Sequence, residues 1–179
     1  MREMEWPAAH RPSKDGRSSE RPVSGAEPLI DRPRLTVRRL GGLGQILISG
    51  DLEAAVAALA PSAPMLGLHA LAPEGAHALR IGRTSALLIT PAPLAAIDGW
   101  RDRWCATSVD DGWAAVEVSG ADAPQALMQA TSADLASGSL SAAVFVFGLR
   151  ALLAKTPSGF RIHFEAPWLM TLLGWLDGV

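Results

Sequence analysis

The chain has 179 residues, with 49% hydrophobic and 19% charged residues and a formal net charge of −2. That length suits one domain or two small halves, and the composition is too apolar for a disordered chain and too evenly charged for a phosphate-binding one. One cysteine, Cys105, excludes an intrachain disulfide framework or a thiolate metal cluster. No apolar run reaches the roughly 18 residues of a membrane-spanning helix, and Met1 to Pro12 lack the apolar middle of a signal peptide, so the expectation is a cytoplasmic protein with neither membrane nor nucleic acid as partner.

Residues 1–34 hold 13 of the charged residues and five of the 13 prolines. Too little apolar area is present there to offset the entropy of ordering the segment, which reads as a flexible polar arm. Trp6 is the kind of anchor that docks a partner, and an unselected extension is the alternative. The folded domain is expected over residues 35–179. Leu35, Val37 and Leu40 approximate strand alternation, Gly41-Gly42-Leu43-Gly44 signals a turn, and Gln45 to Ser49 reads as a second strand, so the two form a predicted hairpin. Asp51 caps a helix through about Ala60, ended by Pro61 and Pro64. Residues 77–83 and 85–90 read as strands, and Pro93 to Trp100 as a short helix.

The second half repeats this order. Ala106–Asp110 and Trp113–Ser119 read as strands around the turn Asp111-Gly112. Asp122 caps a helix with Pro124 in its first turn. Residues 143–147, 149–155 and 159–164 read as three strands. Pro167 opens a last helix with the stripe Trp168, Leu169, Leu172, Leu173 and Leu176. Ile48-Ser49-Gly50-Asp51 and Val118-Ser119-Gly120-Ala121 each join a strand to a helix, and Arg80-Ile81 pairs with Arg161-Ile162 as a second match. The expected fold class is α+β, with two similar strand–strand–helix units and antiparallel sheets.

Catalytic signatures are missing. The glycine run at 41–44 lacks the lysine and spacing of a phosphate loop, no dinucleotide fingerprint follows a strand, and no Gly-x-Ser-x-Gly elbow occurs. His69, His77 and His163 sit in separate elements without ligand spacing. Cys105, close to Arg101 and Arg103, reads as a structural thiol, with an activated thiolate as the alternative. Asp110 and Asp111 read as part of a turn, with an acid pair or cation site as the alternative. Catalytic, cofactor-binding and metal residues are therefore all expected to be none. Six Trp, four Phe and no Tyr are unusual; Trp100, Trp104, Trp113, Trp168 and Trp175 divide between core filling and anchoring a protein partner.

The run from Ser108 through Asp110-Asp111-Gly112-Trp113 to Gly120, then Ala126-Leu127, Asp134-Leu135, and the closing Phe160-Arg161-Ile162-His163-Phe164, Trp168 and Leu173-Gly174-Trp175-Leu176 resembles the gamma subunit of heterotetrameric sarcosine oxidase. The resemblance covers residues 104–178, and residues 35–100 in element order only; it departs at Ser137–Val144 and at Ala166-Pro167-Trp168. It implies a fold like that of the folate-binding glycine-cleavage T-protein. It also implies a non-catalytic accessory subunit that packs on larger alpha and beta chains. In that family the whole complex holds FAD, FMN, NAD and tetrahydrofolate and oxidises sarcosine or another N-methyl amine; this chain is expected to hold none of them. Two alternatives stand beside it: a lone folate-binding one-carbon protein, for which Asp110 or Glu117 would hold the pteridine, and a structural interaction module.

Overall fold

The computed structural model describes residues 28–95 and 97–178. Twelve strands form two six-stranded sheets. The first sheet holds β1 (Ile30–Arg32), β2 (Leu35–Leu40), β9 (Trp113–Ser119), β12 (Gly159–Glu165), β11 (Leu149–Thr156) and β10 (Ala143–Val146), in that spatial order. The second holds β4 (Met65–Leu66), β5 (His77–Arg80), β6 (Ser85–Thr90), β3 (Gly44–Gly50), β8 (Trp104–Ser108) and β7 (Gly99–Arg101). Every pairing is antiparallel except β4 with β5. The expected α+β class with antiparallel sheets is what the chain adopts.

Alternation along the strands builds three apolar layers. Val116 and Val118 of β9, Ile162 and Phe164 of β12, and Leu153 of β11 point outward onto α2 (Ala123–Ala130) and α3 (Leu169–Asp177), where Leu127, Leu172 and Leu176 are buried. On the second sheet Ile46, Ile48, Ala78, Ala86 and Leu88 meet α1 (Leu52–Leu59) through Leu52, Ala55 and Val56. Between the sheets, Leu79, Leu87 and Ile89 meet Leu152, Ala154 and Ala142. Each sheet thus has one face under helix and one face against the other sheet, which is why β6 and β11 read as near-continuous apolar runs.

The predicted strands, the helix from Asp51 and the strand–strand–strand–helix ending are all present. Asp51 accepts the Ala54 N–H at 3.0 Å, as a cap residue should. Several connections differ from expectation. The predicted hairpin of 35–40 with 45–49 does not form: β2 pairs with β9 and β3 pairs with β6 and β8, so the glycine loop carries the chain from one sheet to the other. The Asp111-Gly112 turn does the same for β8 and β9. It is a tight turn, with the Gly112 and Trp113 N–H groups both donating to Val109 O at 3.0 Å, yet its flanking strands part company. The helix expected from Pro93 to Trp100 is not found among the described residues there: residues 93–95 and 97–98 are irregular and Gly99–Arg101 is β7. Leu94 and Ile97 instead plug the α1 layer from a loop, and Asp98 accepts the Ser108 N–H. The arm drawn through residue 34 is too long: Ile30 is buried in the outer core and β1–β2 is a hairpin turning on Pro33-Arg34. Residues 1–27, with Trp6, lie outside the described residues.

The internal repeat is real and has a particular geometry. Each unit runs hairpin, strand, helix, three strands: β1-β2, β3, α1, β4-β5-β6, and then β7-β8, β9, α2, β10-β11-β12. Each unit's hairpin joins the other unit's sheet, β2 beside β9 and β8 beside β3. Gly50 and Gly120 occupy the matching corners, with φ of 99° and 108°. A Cβ at Gly50 would collide with the carbonyl of Arg103, and one at Gly120 with the carbonyl of Arg34. These two carbonyls belong to the exchanged hairpins, so the Ser-Gly shared by both halves marks where each hairpin threads against the opposite unit. The match of Arg80 with Arg161 is not part of the repeat, since Arg80 lies on β5 and Arg161 on β12, strands that occupy different positions in their sheets.

Candidate functional site

Three places gather polar or reactive groups. The first is a buried strip between the sheets. On the second sheet His77, Ile89 and Gln45 stand in register across β5, β6 and β3; on the first, Leu152, His163 and Ala115 stand across β11, β12 and β9. His163 is fully buried and its Nδ1 is 2.9 Å from Gln45 Oε1. Gln45 Nε2 donates to Trp113 O at 3.3 Å, which fixes the amide, so Oε1 accepts and His163 Nδ1 carries the proton. His77 Nδ1 donates to Gly75 O at 2.8 Å. Burial first, then the charges of His77 and Arg161, push the His163 pKa down to about 3. Burial likewise lowers that of His77, against the opposing effect of its Gly75 bond. Both rings are therefore neutral at pH 7. On the same face Arg161 Nε donates to Glu117 Oε2 at 3.1 Å.

The second is a cleft of about 410 Å³ lined by Arg32, Arg34, Leu35, Asp122, Gln125 and Gln129. Arg34 and Asp122 neutralise each other there at 2.8 Å; the hydrogen bond to Arg34 holds the Asp122 carboxyl below its usual range. Arg32 is bound to the Asp177 backbone oxygen and carboxylate. The third is a shallow cleft of about 770 Å³ lined by Asp110, Asp111, Trp113, Glu165 and Pro167, among others. Asp110 is committed inside the fold, accepting from the Gln45 N–H and, at 2.9 Å, from the Ser108 hydroxyl.

Apart from His77 and His163, the residues singled out in the sequence are not brought together. His69 is exposed and bonded to Ser139 O, Cys105 is half-buried on β8, and Asp111 is exposed at the crossover. Asp110 and Glu117, the acids a folate pocket would need, have structural partners. His77 and His163 do share the interior, a proximity that chain spacing could not reveal because register across two sheets creates it. Among the described residues no group of three or more His, Cys, Asp or Glu could hold a metal ion. At the strand-to-helix corner before α1 the Asp51 N–H goes to Arg103 O at 3.1 Å, and at that before α2 the Asp122 N–H goes to Arg34 O at 3.0 Å. Each corner also holds a carboxylate paired with an arginine of the exchanged hairpin, Asp51 with Arg103 at 3.1 Å and Asp122 with Arg34 at 2.8 Å. None of the five tryptophans beyond the arm is fully buried, and Trp100, Trp168 and Trp175 are exposed.

No family model and no curated protein matches the sequence. Among solved structures, a chain of the heterotetrameric sarcosine oxidase from Corynebacterium sp. U-96, in complex with pyrrole 2-carboxylate, superposes with a TM-score of 0.69. The match covers 84% of this chain and 86% of that one at 18% identity. The two chains share a fold. The nearly equal coverages also make them similar in length. Among the described residues no helix is long and apolar enough to cross a membrane.

Proposed function

We propose that this chain is a small accessory subunit, the gamma subunit, of a heterotetrameric flavin-dependent oxidase acting on sarcosine or a related N-methyl amine. The observation that carries this reading is the fold shared, nearly end to end, with a chain of similar length from an assembly of that kind. The closing motifs of the sequence, Asp134-Leu135 and Leu173-Gly174-Trp175-Leu176, support the same assignment. In this reading FAD, FMN, NAD and tetrahydrofolate belong to the larger alpha and beta chains, and the one-carbon unit passes to tetrahydrofolate there. The present chain contributes a rigid double-sheet body. Its acids and histidines are used to hold that body together: Asp51 and Asp122 at the helix corners, Asp110 at the crossover, Glu117 with Arg161, His163 with Gln45.

The test is direct. Expressed alone and supplied with FAD, FMN and sarcosine, the purified chain is expected to show no bound-flavin absorbance and no turnover. Co-expressed with the larger chains of its own host's oxidase, it is expected to co-purify at a fixed ratio. A yellow, active protein from this chain alone refutes the reading. Calorimetric binding of tetrahydrofolate to the isolated chain would instead favour a lone folate-binding protein.

A further inference from the structure

Among the described residues, two buried side-chain nitrogen or oxygen atoms have no hydrogen-bond partner in the protein: Nε2 of His77 and Nε2 of His163. Both belong to the layer between the sheets. On β5, Ala78 packs on the α1 side while Leu79 is part of the inter-sheet core, so His77, two residues before Leu79, shares its face. On β12, Ile162 and Phe164 pack toward the outer helices, which turns His163 inward. Their strand neighbours Ile89 and Leu152 are inter-sheet residues too. Gln45, in one row with Ile89 and His77 on the facing sheet, holds the His163 ring against that row. The two rings are close enough for a charge on His77 to act on His163.

The rings are prepared alike. Each Nδ1–H is spent on a carbonyl oxygen, that of Gly75 for His77 and that of the Gln45 side chain for His163. Each Nε2 is therefore an acceptor with an uncommitted lone pair. The residues are 1% and 0% exposed, so bulk solvent does not reach either atom. Two acceptors cannot satisfy each other, whereas one small molecule with two donor hydrogens satisfies both. Orphaned buried polar atoms are rare in native proteins, and buried waters serve such atoms with about 2–4 polar partners each. A cation is the rival occupant. Arg161, whose charge acts on both rings, opposes it, and among the described residues no group of three or more His, Cys, Asp or Glu stands ready to hold a metal ion.

We propose that the inter-sheet layer is a binding site for one neutral molecule with two donor hydrogens, a water, which donates to Nε2 of His77 and to Nε2 of His163 and so ties one sheet to the other. The site is independent of the accessory-subunit reading, since every group in it belongs to this chain's own interior.

The isolated full chain serves for the test. A crystal structure at a resolution that shows ordered water is expected to place a single peak about 2.7–3.2 Å from both Nε2 atoms. In solution, water-selected nuclear Overhauser spectra are expected to show a long-lived water at the ring protons flanking Nε2 of both histidines. His77→Phe removes one acceptor and fills its space, and is expected to abolish that signal at His163. If the variant does not fold, the wild-type crystal and spectra decide alone. No bridging peak in the crystal, or a water sensed by one ring only, overturns the proposal. A signal at His163 that survives in a folded His77→Phe protein does the same, because the water is then not shared. An Nε2 proton on either ring in a proton–nitrogen correlation spectrum overturns it as well. So does stoichiometric uptake of zinc ion by the full chain in calorimetry that His77→Phe abolishes, which would make the pair a metal site.

Discussion

Lowering the pH from 7 to 5 should destabilise this fold through His163. Its Nδ1–H is committed to Gln45, so a second proton would have to enter at Nε2, inside the inter-sheet layer and near Arg161. The folded pKa is about 3 against an ordinary 6.5. Between those values the unfolded chain binds the proton and the folded chain does not, so stability is full above 6.5 and is lost as pH falls through that window. At pH 5 the unfolded imidazole is already mostly protonated, and the linkage amounts to about 2 kcal/mol from this one group. His77, lowered by burial too, acts in the same direction. Urea denaturation of the full chain at pH 7 and pH 5 measures the change. His163→Asn keeps a neutral donor for Gln45 and removes the titration, and carboxylate contributions common to both proteins cancel. The wild type is expected to lose about 2 kcal/mol more than the variant over this interval. Parallel losses in the two proteins refute the argument, as does an NMR titration in which the His163 ring protonates near pH 6 in the folded state.

Gly120→Ala should destabilise by about 2 kcal/mol or more, because the corner has φ of 108° and the Arg34 carbonyl fills the space of a Cβ; a thermal melt beside Gly174→Ala, where the surroundings are open, isolates the effect. Asp51→Ala removes a working N-cap and should cost about 1 kcal/mol by urea denaturation. Asp122→Ala should cost less than that, since Asp122 makes no cap bond and its exposed ion pair with Arg34 is screened; raising the salt concentration should shrink the difference from wild type. Leu153→Ala, at a fully buried position under α2 and α3, should cost about 2–5 kcal/mol in the same assay.

Much of the local structure was legible because the residues that make an element are its own. The alternation of Trp113–Ser119, the cap at Asp51 and the stripe Leu169, Leu172, Leu173, Leu176 each specify a strand or helix without reference to anything distant. Pairing was not legible in the same way. Alternation says that a strand has two faces and not which strand lies beside it, so glycine-rich and Asp-Gly loops suggested hairpins where the chain in fact changes sheet. In the segment from Pro93 to Trp100, read as a helix, Leu94 and Ile97 reach one core layer from a loop, a spacing that a helical face would also give. The repeat was visible in Ser-Gly because both corners have the same steric need. The inter-sheet meeting of His77, His163 and Gln45 left no signal, since it depends on the register of six strands at once.

The exchange of hairpins between the units has a consequence for synthesis. β2 must wait for β9, which begins 73 residues further along at Trp113, and the first sheet is not closed until β12 has emerged near the carboxyl end. The nascent amino-terminal hairpin therefore leaves the ribosome with one apolar side, Ile30, Leu35 and Val37, and nothing yet to cover it. Closing so long a loop favours slow folding and gives chaperones a natural point of engagement. It also means that neither half, cut at the boundary near residue 98, has a complete sheet of its own, whereas the two fragments mixed together contain every strand needed to rebuild both.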